Sequence, residues 1–426
     1  MRHVIRSLAV LAAWSLASLP MLRAQGQAAS VHMVEAEGEA ARYWSRWRGP
    51  SGQGLAAGTG YPDTWSGTQN VLWKVAVPGN GNSSPIIWRD RIVLTTEQND
   101  GGRLSLVAYR RSDGAKLWET QAPAGRSRGA HTKNGYASAT PATDGERVYV
   151  SFGSGLFAFD LDGRVVWQRD LGRIDNPHGA AGSPLLYKDR VILYQDHAAG
   201  GFIAAFSTRT GEEIWRTPRQ ASVGWGTPIA VRVGDHDEIV VNGQARVLAY
   251  DPATGREIWR CSGTSDEVVP TPVVGYGMVF CSSGRAGPTL AIRPGGQGDV
   301  TASHLAWSTT RGSPFVPSPI LYREHLYTVN DMASIVTAFE ATSGRTMWQG
   351  RLGAAAREGF SASPVAVDGK VFFTNDDGET FVLRAGSTFQ LMHVNRIGER
   401  TLASPALVDG RWYIRTTQHL YAIGTR

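Results

Sequence analysis

The feature that most constrains this chain of 426 residues is a dipeptide, Ser-Pro or Thr-Pro, placed before a short apolar segment. Proline cannot donate to a β-ladder, so it suits the first position of a strand. Intervals between successive prolines are 56, 43, 44, 44, 47, 45 and 41 residues. A period of roughly 40–50 residues is typical of β-propeller blades. The eight dipeptides begin at Ser84, Thr140, Ser183, Thr227, Thr271, Ser318, Ser363 and Ser404.

The unit from Thr140 to Asp170 shows how one blade is expected to fold. Its first strand begins at the proline and ends at the turn sequence Asp144-Gly145, where a positive φ is needed. RVYVSF, LFAFD and RVVWQ then read as three further strands separated by glycine turns. The middle strands are almost continuously apolar, as expected for a sheet covered on both faces. The unit therefore predicts a four-stranded antiparallel blade.

A tryptophan at fixed spacing from a turn glycine is the second repeated feature. This spacing predicts a side chain that packs at one place in every blade, between neighbouring sheets, and not a ring of ligand-stacking indoles. The unit at 272–310 is degenerate, and the unit at 364–392 has Phe389 where tryptophan is expected. The five pairs are Gly114 and Trp118, Gly163 and Trp167, Gly211 and Trp215, Gly255 and Trp259, and Gly344 and Trp348.

Ring closure follows from the two ends of the repeat. The last unit supplies only three strands, and VLWKV around Trp73 is an orphan strand before the first Ser-Pro. Pairing the two removes an exposed edge. We predict an all-β fold, an eight-bladed β-propeller of four-stranded antiparallel blades closed by the N-terminal strand around Trp73. The predicted organisation is a signal peptide at 1–24, a lead-in segment at 25–70 and the propeller at 71–426.

The N-terminus predicts export. MRHVIR is basic, SLAVLAAWSLASLPML is a short apolar run, and Ala24 suits cleavage. No cysteine adjoins this site, so no lipid anchor is expected, and no other segment is apolar enough for a transmembrane span. Removing residues 1–24 lowers the formal charge from +6 to +3. Without a basic cluster, nucleic acid is not an expected partner. We expect a periplasmic or secreted protein, monomeric in state.

Chemical motifs are few. The two cysteines, Cys261 and Cys281, are read as buried free thiols, with a single disulfide as the alternative. No Cys/His spacing resembles a zinc site, so no metal centre is expected. No Ser-x-x-Lys, Gly-x-Ser-x-Gly, His-Glu-x-x-His or phosphate-loop motif is present.

Polar residues instead gather in the loops expected at one face of the propeller. Converging there, they could bind a small polar ligand, a cation or a peptide, whereas the alternative is ordinary turn chemistry. Trp225 is notable because it falls outside the blade-core pattern. The predicted rim residues are His131, Asn134, His178, Trp225, Arg285, Arg311, Asn330, Asp331, Asn375 and Asp376.

The complete unit, Ser-Pro…Asp-Gly-x-Val-Tyr…Ala-x-Asp-x-x-Thr-Gly-x-x-x-Trp, resembles the pyrroloquinoline-quinone (PQQ) enzyme repeat. Residues 44–426 are similar to secreted PQQ-like propeller proteins. The lead-in WSRWRGPSGQG at Trp44–Gly54 also resembles the entry segment of that group. The resemblance implies two functional branches, quinoprotein dehydrogenases and outer-membrane assembly lipoproteins, since fold alone does not fix function.

The enzyme branch carries a disulfide between adjacent cysteines, long insertions or a haem motif, and this chain has no such features. We therefore expect a non-enzymatic binding scaffold without cofactor, with a protein or peptide partner in the cell envelope and a role in outer-membrane or envelope protein assembly. The alternative is a PQQ-dependent alcohol dehydrogenase with a reduced site. There, Asp331 and Asp376 would bind Ca²⁺ or act as catalytic base, and Trp225 would stack on the quinone.

Overall fold

The computed structural model describes residues 30–123, 130–284, 287–354 and 359–425. Their secondary structure is almost entirely antiparallel β-sheet, arranged as eight blades around a central channel. Before the first complete blade lie strand β1 (Val31–Met33), a 3₁₀ helix (Gly38–Arg42) and strand β2 (Val71–Ala76). Among the described residues, no helix has the length and apolarity needed to cross a bilayer.

The first four blades follow in chain order, each running from the channel outward. Blade 1 contains β3 (Ile86–Trp88), β4 (Arg91–Gln98), β5 (Arg103–Arg110) and β6 (Lys116–Gln121). Blade 2 contains β7 (Ala142–Thr143), β8 (Arg147–Phe152), β9 (Gly155–Asp160) and β10 (Val165–Asp170). Blade 3 contains β11 (Leu185–Tyr187), β12 (Arg190–Gln195), β13 (Gly201–Ser207) and β14 (Glu213–Arg219). Blade 4 contains β15 (Ile229–Val233), β16 (His236–Asn242), β17 (Arg246–Tyr250) and β18 (Glu257–Ser262).

The remaining blades complete the ring. Blade 5 contains β19 (Val273–Gly275), β20 (Met278–Ser282), β21 (Thr289–Ile292) and β23 (Leu305–Thr309), with strand β22 (Gly298–Asp299) and helix α1 (Thr301–His304) inserted before its last strand. Blade 6 contains β24 (Ile320–Tyr322), β25 (His325–Asn330), β26 (Ile335–Glu340) and β27 (Thr346–Arg351). Blade 7 contains β28 (Val365–Val367), β29 (Lys370–Thr374), β30 (Glu379–Arg384) and β31 (Leu391–Arg396). Blade 8 contains β32 (Ala406–Val408), β33 (Arg411–Arg415), β34 (His419–Ile423) and, outermost, β2.

The predicted closure is confirmed. Strand β2 pairs antiparallel with β34, the last strand of the chain, and places Trp73 opposite Ala422. The eighth sheet is therefore built from both ends of the propeller, as the orphan strand in the sequence indicates. Pairing of this kind removes the unpaired edges that an open ring would expose.

The repeated tryptophan joins most blades to the next, whereas Trp259 of blade 4 donates to Glu238 of its own blade. In six blades its Nε1 donates to a backbone carbonyl in a turn of the following blade, at 2.9–3.1 Å. A Cβ added to Gly211 would lie 2.6 Å from the Trp167 ring, and one added to Gly255 would lie 2.3 Å from Trp215. Only glycine lets the turn sit flat against the indole. The predicted packing between adjacent blades is thus what the structure contains.

A β-bulge precedes the tryptophan position, and in seven blades the residue opposite it is alanine. The degenerate unit follows the pattern through Trp307, opposite Ala291. The assignment of Phe389 to this position in blade 7 was wrong. His393 occupies it, opposite Val382. Phe389 lies in the turn before β31, where its ring packs on Trp348 with centroids 5.3 Å apart.

The lead-in segment closes one end of the channel. Strand β1 pairs with β15, the innermost strand of blade 4. The following residues then contact inner strands elsewhere in the ring. Ile87 of blade 1 donates to the Trp44 carbonyl, Thr143 of blade 2 donates to the Ser45 carbonyl, and Ala366 of blade 7 donates to the Gly54 carbonyl. Because these contacts join opposite sides of the ring, the segment spans the channel.

Candidate functional site

A ring of hydroxyls surrounds the channel and is made by the repeated Ser-Pro and Thr-Pro dipeptides. The backbone N–H of each Ser or Thr donates to the side-chain oxygen of its counterpart in the next unit, at 2.9–3.2 Å. Seven successive bonds of this kind connect Ser84 through to Ser404. The proline that follows each Ser or Thr fixes the start of the inner strand, so the dipeptide both begins the blade and positions a hydroxyl.

Above this ring is a cavity of about 530 Å³. Its floor includes Trp47 from the lead-in, whose Nε1 donates to the Thr271 hydroxyl at 3.1 Å. Hydroxyls of the ring contribute to the lining from Ser183 round to Ser404. The cavity is therefore a funnel that opens at one face and ends on an indole.

One wall of the cavity is an imidazole–indole cluster. His178 stacks on Trp225 with ring centroids 5.6 Å apart and planes at 24°, and His131 meets His178 edge-on at 5.3 Å. Local hydrogen bonds hold these rings: Trp225 Nε1 donates to the Gly179 carbonyl at 2.9 Å, and Asn134 Nδ2 donates to the His178 carbonyl at 2.7 Å. The cluster offers a flat, largely apolar surface with polar edges.

The opposite wall carries charge. Lys133 Nζ lies 2.8 Å from Asp376 Oδ2, which also accepts a hydrogen bond from Ser361 at 3.0 Å. Asp331 lines the cavity, and its Oδ1 accepts the backbone N–H of Phe315 at 2.9 Å. Asp376 is fully buried, whereas the Lys133 side chain reaches the cavity surface.

Burial is the largest influence on the pKa values of Asp376 and Asp331. Desolvation raises the pKa of Asp376 above its usual range, although its contacts with Lys133 and Ser361 oppose this effect. Desolvation likewise raises the pKa of Asp331, against the opposing hydrogen bond from Phe315. In both groups burial therefore works against ionisation, and the neighbouring donors work for it.

The structure brings part of the predicted rim together. His131, Asn134, His178, Trp225 and Asp331 line the cavity. Asp376 lies just behind the wall, in contact with the lining residues Lys133 and Ser361.

Three further predicted rim residues lie away from this lining. Asn330 accepts the backbone N–H of Ala333, and Asn375 accepts that of Glu379, so both amides serve the turns that contain them. Arg311 is exposed outside the lining. Arg285 falls outside the described residues.

Asp196 is a buried carboxylate outside the cavity lining. It forms a buried bidentate pair with Arg219, with distances of 2.6 and 2.9 Å. Arg219 also donates to the hydroxyl of Tyr250. This network supports blades 3 and 4 beneath the aromatic wall and does not face the cavity.

Sequence reasoning missed several lining residues. Trp47 was treated only as part of a recognisable lead-in, and Phe315 and Met332 were not considered. The repeated Ser-Pro and Thr-Pro dipeptides could have predicted the hydroxyl ring, because residues that precede eight inner strands must lie together around the channel. The indole of Trp47 carries no such local signal.

The family model of the outer membrane protein assembly factor BamB matches residues 50–197 and 199–425. The chain belongs to this family. BamB from Burkholderia pseudomallei (strain K96243) is 24% identical over 237 residues, a stretch that spans 50% of the present chain and 57% of that relative. The chain thus matches little more than half the length of this curated BamB protein.

Solved structures share the fold at low identity. BamB from Moraxella catarrhalis superposes with a TM-score of 0.61 at 14% identity, covering 84% of this chain and 97% of that one. The quinohemoprotein alcohol dehydrogenase ADHIIG from Pseudomonas putida HK5 gives 0.66 at 11% identity, covering 92% and 82%. An assembly-factor family and an alcohol dehydrogenase therefore share this architecture, and only the site can distinguish them.

The described residues that line the cavity of this BamB family member do not group the ligands of a usual calcium site. Calcium in proteins takes six to eight oxygen ligands, usually with several carboxylates. Within the described ranges, no three His, Cys, Asp or Glu side chains are grouped to hold a metal ion. The ammonium group of Lys133 stands directly against Asp376, where it would repel a divalent cation. Cys261 and Cys281 are buried in the core shared by blades 4 and 5, away from the cavity lining.

Proposed function

We propose that this protein is an exported, non-enzymatic binding scaffold of the cell envelope that takes part in outer-membrane protein assembly. Membership of the BamB family supports this role, because the family model covers nearly the whole propeller. The basic, then apolar, N-terminal sequence supports export. A polypeptide in the envelope is the proposed partner.

The observation that carries the proposal is the contact between Lys133 and Asp376. A carboxylate that acts as general base must be within hydrogen-bonding reach of the proton it removes. Asp376 is instead buried and engaged by Lys133 at 2.8 Å and by Ser361. The same contact removes the charge that would attract a calcium ion. We therefore assign the cavity to the binding of a partner. Asp376, behind its wall, has a structural role.

The mouth of the funnel suits a polypeptide. Met332 is 78% exposed there, beside the cavity-lining residues Phe315 and Val316. Methionine on a surface adapts to varied apolar partners because its side chain is unbranched and polarisable. Turns between the second and third strands reach this face, so a partner can contact several blades at once.

Deletion of the gene in the native host, followed by quantitative proteomics of isolated outer membranes, tests this function. We expect reduced amounts of outer-membrane β-barrel proteins, restored by the wild-type gene. A gene carrying Met332→Glu should restore them poorly, because it places a charge on the apolar mouth. Tyr276→Glu is the matched control, since Tyr276 is also exposed but lies in a turn at the opposite face. Unchanged outer-membrane protein amounts in the deletion strain would refute the proposed function.

A further inference from the structure

We propose that the central cavity binds a lysine or arginine side chain of the partner polypeptide, with its cationic head on Asp331. The inference rests on the proposed function, because it names the chemistry by which that partner is recognised. It assigns basic side chains as the ligands of the central cavity.

The charge of the lining selects a cation. The carboxylate of Asp331 lines the cavity, and that of Asp376 lies immediately behind it. Lys133, the lysine of the described lining, is held by Asp376. A cavity of low polarity strengthens the interaction of such carboxylates with an entering cation.

Asp331 is the carboxylate left for a ligand. Asp376 lies behind the lining, where Lys133 at 2.8 Å and Ser361 at 3.0 Å both contact its Oδ2. Asp331 is 7% exposed, and only its Oδ1 takes part in a hydrogen bond with the described residues, from the Phe315 backbone. Among the described residues no ion pair within 4 Å includes Asp331, although the charge of Lys133, which contacts Asp376, also acts to lower the pKa of Asp331. Its second oxygen, Oδ2, is therefore open to a donor in the cavity.

The surroundings of Asp331 suit the methylene stem of a basic side chain. Phe315, Val316 and Met332 adjoin it in the lining, and Met332 continues this apolar surface to the mouth. Lysine and arginine bury their aliphatic stems along apolar surface while the charged head makes polar contacts.

The hydroxyl ring can donate hydrogen bonds to the backbone of the peptide that carries the basic side chain. Each hydroxyl from Ser183 to Ser404 accepts a backbone N–H from the preceding unit, which leaves its proton for donation. The described residues provide no acceptor for these protons. Backbone carbonyls of an inserted peptide would supply acceptors, so the cavity matches a basic residue carried on a polypeptide better than a free metal ion.

Isothermal titration calorimetry on the purified full chain tests the inference. The probe is a seven-residue peptide, acetyl-Gly-Ser-Gly-Arg-Gly-Ser-Gly-amide, compared with the same peptide containing citrulline, the neutral isostere of arginine. A lysine peptide is the third ligand. We expect the arginine and lysine peptides to bind the wild type about tenfold more tightly than the citrulline peptide, as for a hydrogen bond to a charged group.

Two variants locate the interaction. Asp331→Asn retains an oxygen for the Phe315 N–H and should weaken arginine-peptide binding about tenfold, to the level of the citrulline peptide. Asp377→Asn removes the same charge from an exposed neighbour outside the lining and should leave binding unchanged. Circular dichroism melting verifies that each variant is folded.

Equal binding of the arginine and citrulline peptides to the wild type would overturn the inference, whatever the variants do. Equal loss in both variants would also overturn it, because the effect would then be one of overall charge. Either result leaves the proposed function standing if the deletion strain still loses outer-membrane proteins. Conversely, tight arginine-peptide binding with normal outer membranes in the deletion strain would refute only the proposed function.

Discussion

Lys74 and Glu399 join the two ends of the propeller through an ion pair of 2.8 Å. Lys74 lies on β2, the strand that precedes the first blade, whereas Glu399 lies in the connection between blades 7 and 8. The carboxylate of Glu399 also accepts hydrogen bonds from Tyr421 at 2.6 Å and Thr416 at 2.7 Å, and it contacts His419 Nδ1 at 2.9 Å. One side chain thus fastens the strand that closes the ring.

This arrangement predicts a pH-dependent contribution to stability. Burial opposes ionisation of Glu399, but Lys74 and the neighbouring donors outweigh it and lower the pKa to about 2. The contribution is therefore complete above the unfolded-state pKa and is lost as the pH falls towards 2. Glu399→Gln should lower the free energy of unfolding at pH 7 by about 1–3 kcal/mol. Urea denaturation of both proteins at several pH values measures the difference.

Glu146→Gln is the control for that experiment. Glu146 pairs with Arg147 but is 79% exposed, and exposed pairs contribute little. An equal effect of the two substitutions at pH 7, or an effect of Glu399→Gln that does not shrink under acid, would contradict the assigned role of Glu399.

The contact between turn glycines and tryptophans predicts a difference between two Gly→Ala substitutions. Gly211 and Gly172 both have positive φ, +71° and +83°. A Cβ at Gly211 would lie 2.6 Å from the Trp167 ring, whereas one at Gly172 would meet nothing within 4 Å. Both alanines should cost about 1 kcal/mol of backbone strain, and Gly211→Ala about 1–3 kcal/mol more. Equal urea midpoints of the two variants would show that the turn does not depend on close approach to the indole.

The buried pair of Asp196 and Arg219 predicts a large loss of stability on truncation. Asp196→Ala leaves the Arg219 guanidinium buried without its carboxylate, which should cost about 3–5 kcal/mol. Asp162→Ala is the matched control, because Asp162 pairs with Arg91 but is 62% exposed. Its expected cost is under about 1 kcal/mol. Thermal unfolding followed by circular dichroism compares the two variants. Similar melting temperatures of the two would contradict the stabilising role of the Asp196–Arg219 pair.

The two cysteines are predicted to be unreactive until the protein unfolds. Both are completely buried, and desolvation raises the pKa of both Cys261 and Cys281. The thiolate is the reactive form, so a thiol reagent such as 5,5′-dithiobis(2-nitrobenzoate) should react slowly with the native protein. In guanidinium chloride it should count two thiols per chain. A smaller count would identify a disulfide, the alternative that the sequence left open.

The repeat in the sequence was sufficient to predict the architecture. Ser-Pro and Thr-Pro at regular spacing indicated eight inner strands, and the orphan strand around Trp73 indicated how the ring closes. Both signals are local and recur, so each unit supports the reading of the others. The failure at Phe389 arose where spacing alone was used, because a longer turn in blade 7 moves the strand and puts His393 at the packed position.

The site was less accessible to sequence reasoning, because its contacts join distant parts of the chain. Lys133 and Asp376 are 243 positions apart, and Trp47 meets Thr271 across 224 positions. Lys133, Asp376 and Trp47 do not belong to the repeat, so periodicity carries no information about these two contacts. Trp225 was identified because it broke the pattern. Asn330 and Asn375 shared the polar character of a site but serve their own turns.

The central claim is that the funnel binds a partner and performs no quinone chemistry. Its most direct test is to mix purified protein with PQQ and Ca²⁺, to follow the quinone absorbance, and to assay alcohol-dependent reduction of a redox dye. The geometry of Lys133, Asp376 and Asp331 predicts no bound quinone at tens of micromolar and no dye reduction. A bound quinone spectrum together with alcohol-dependent reduction would contradict the scaffold role and establish the dehydrogenase.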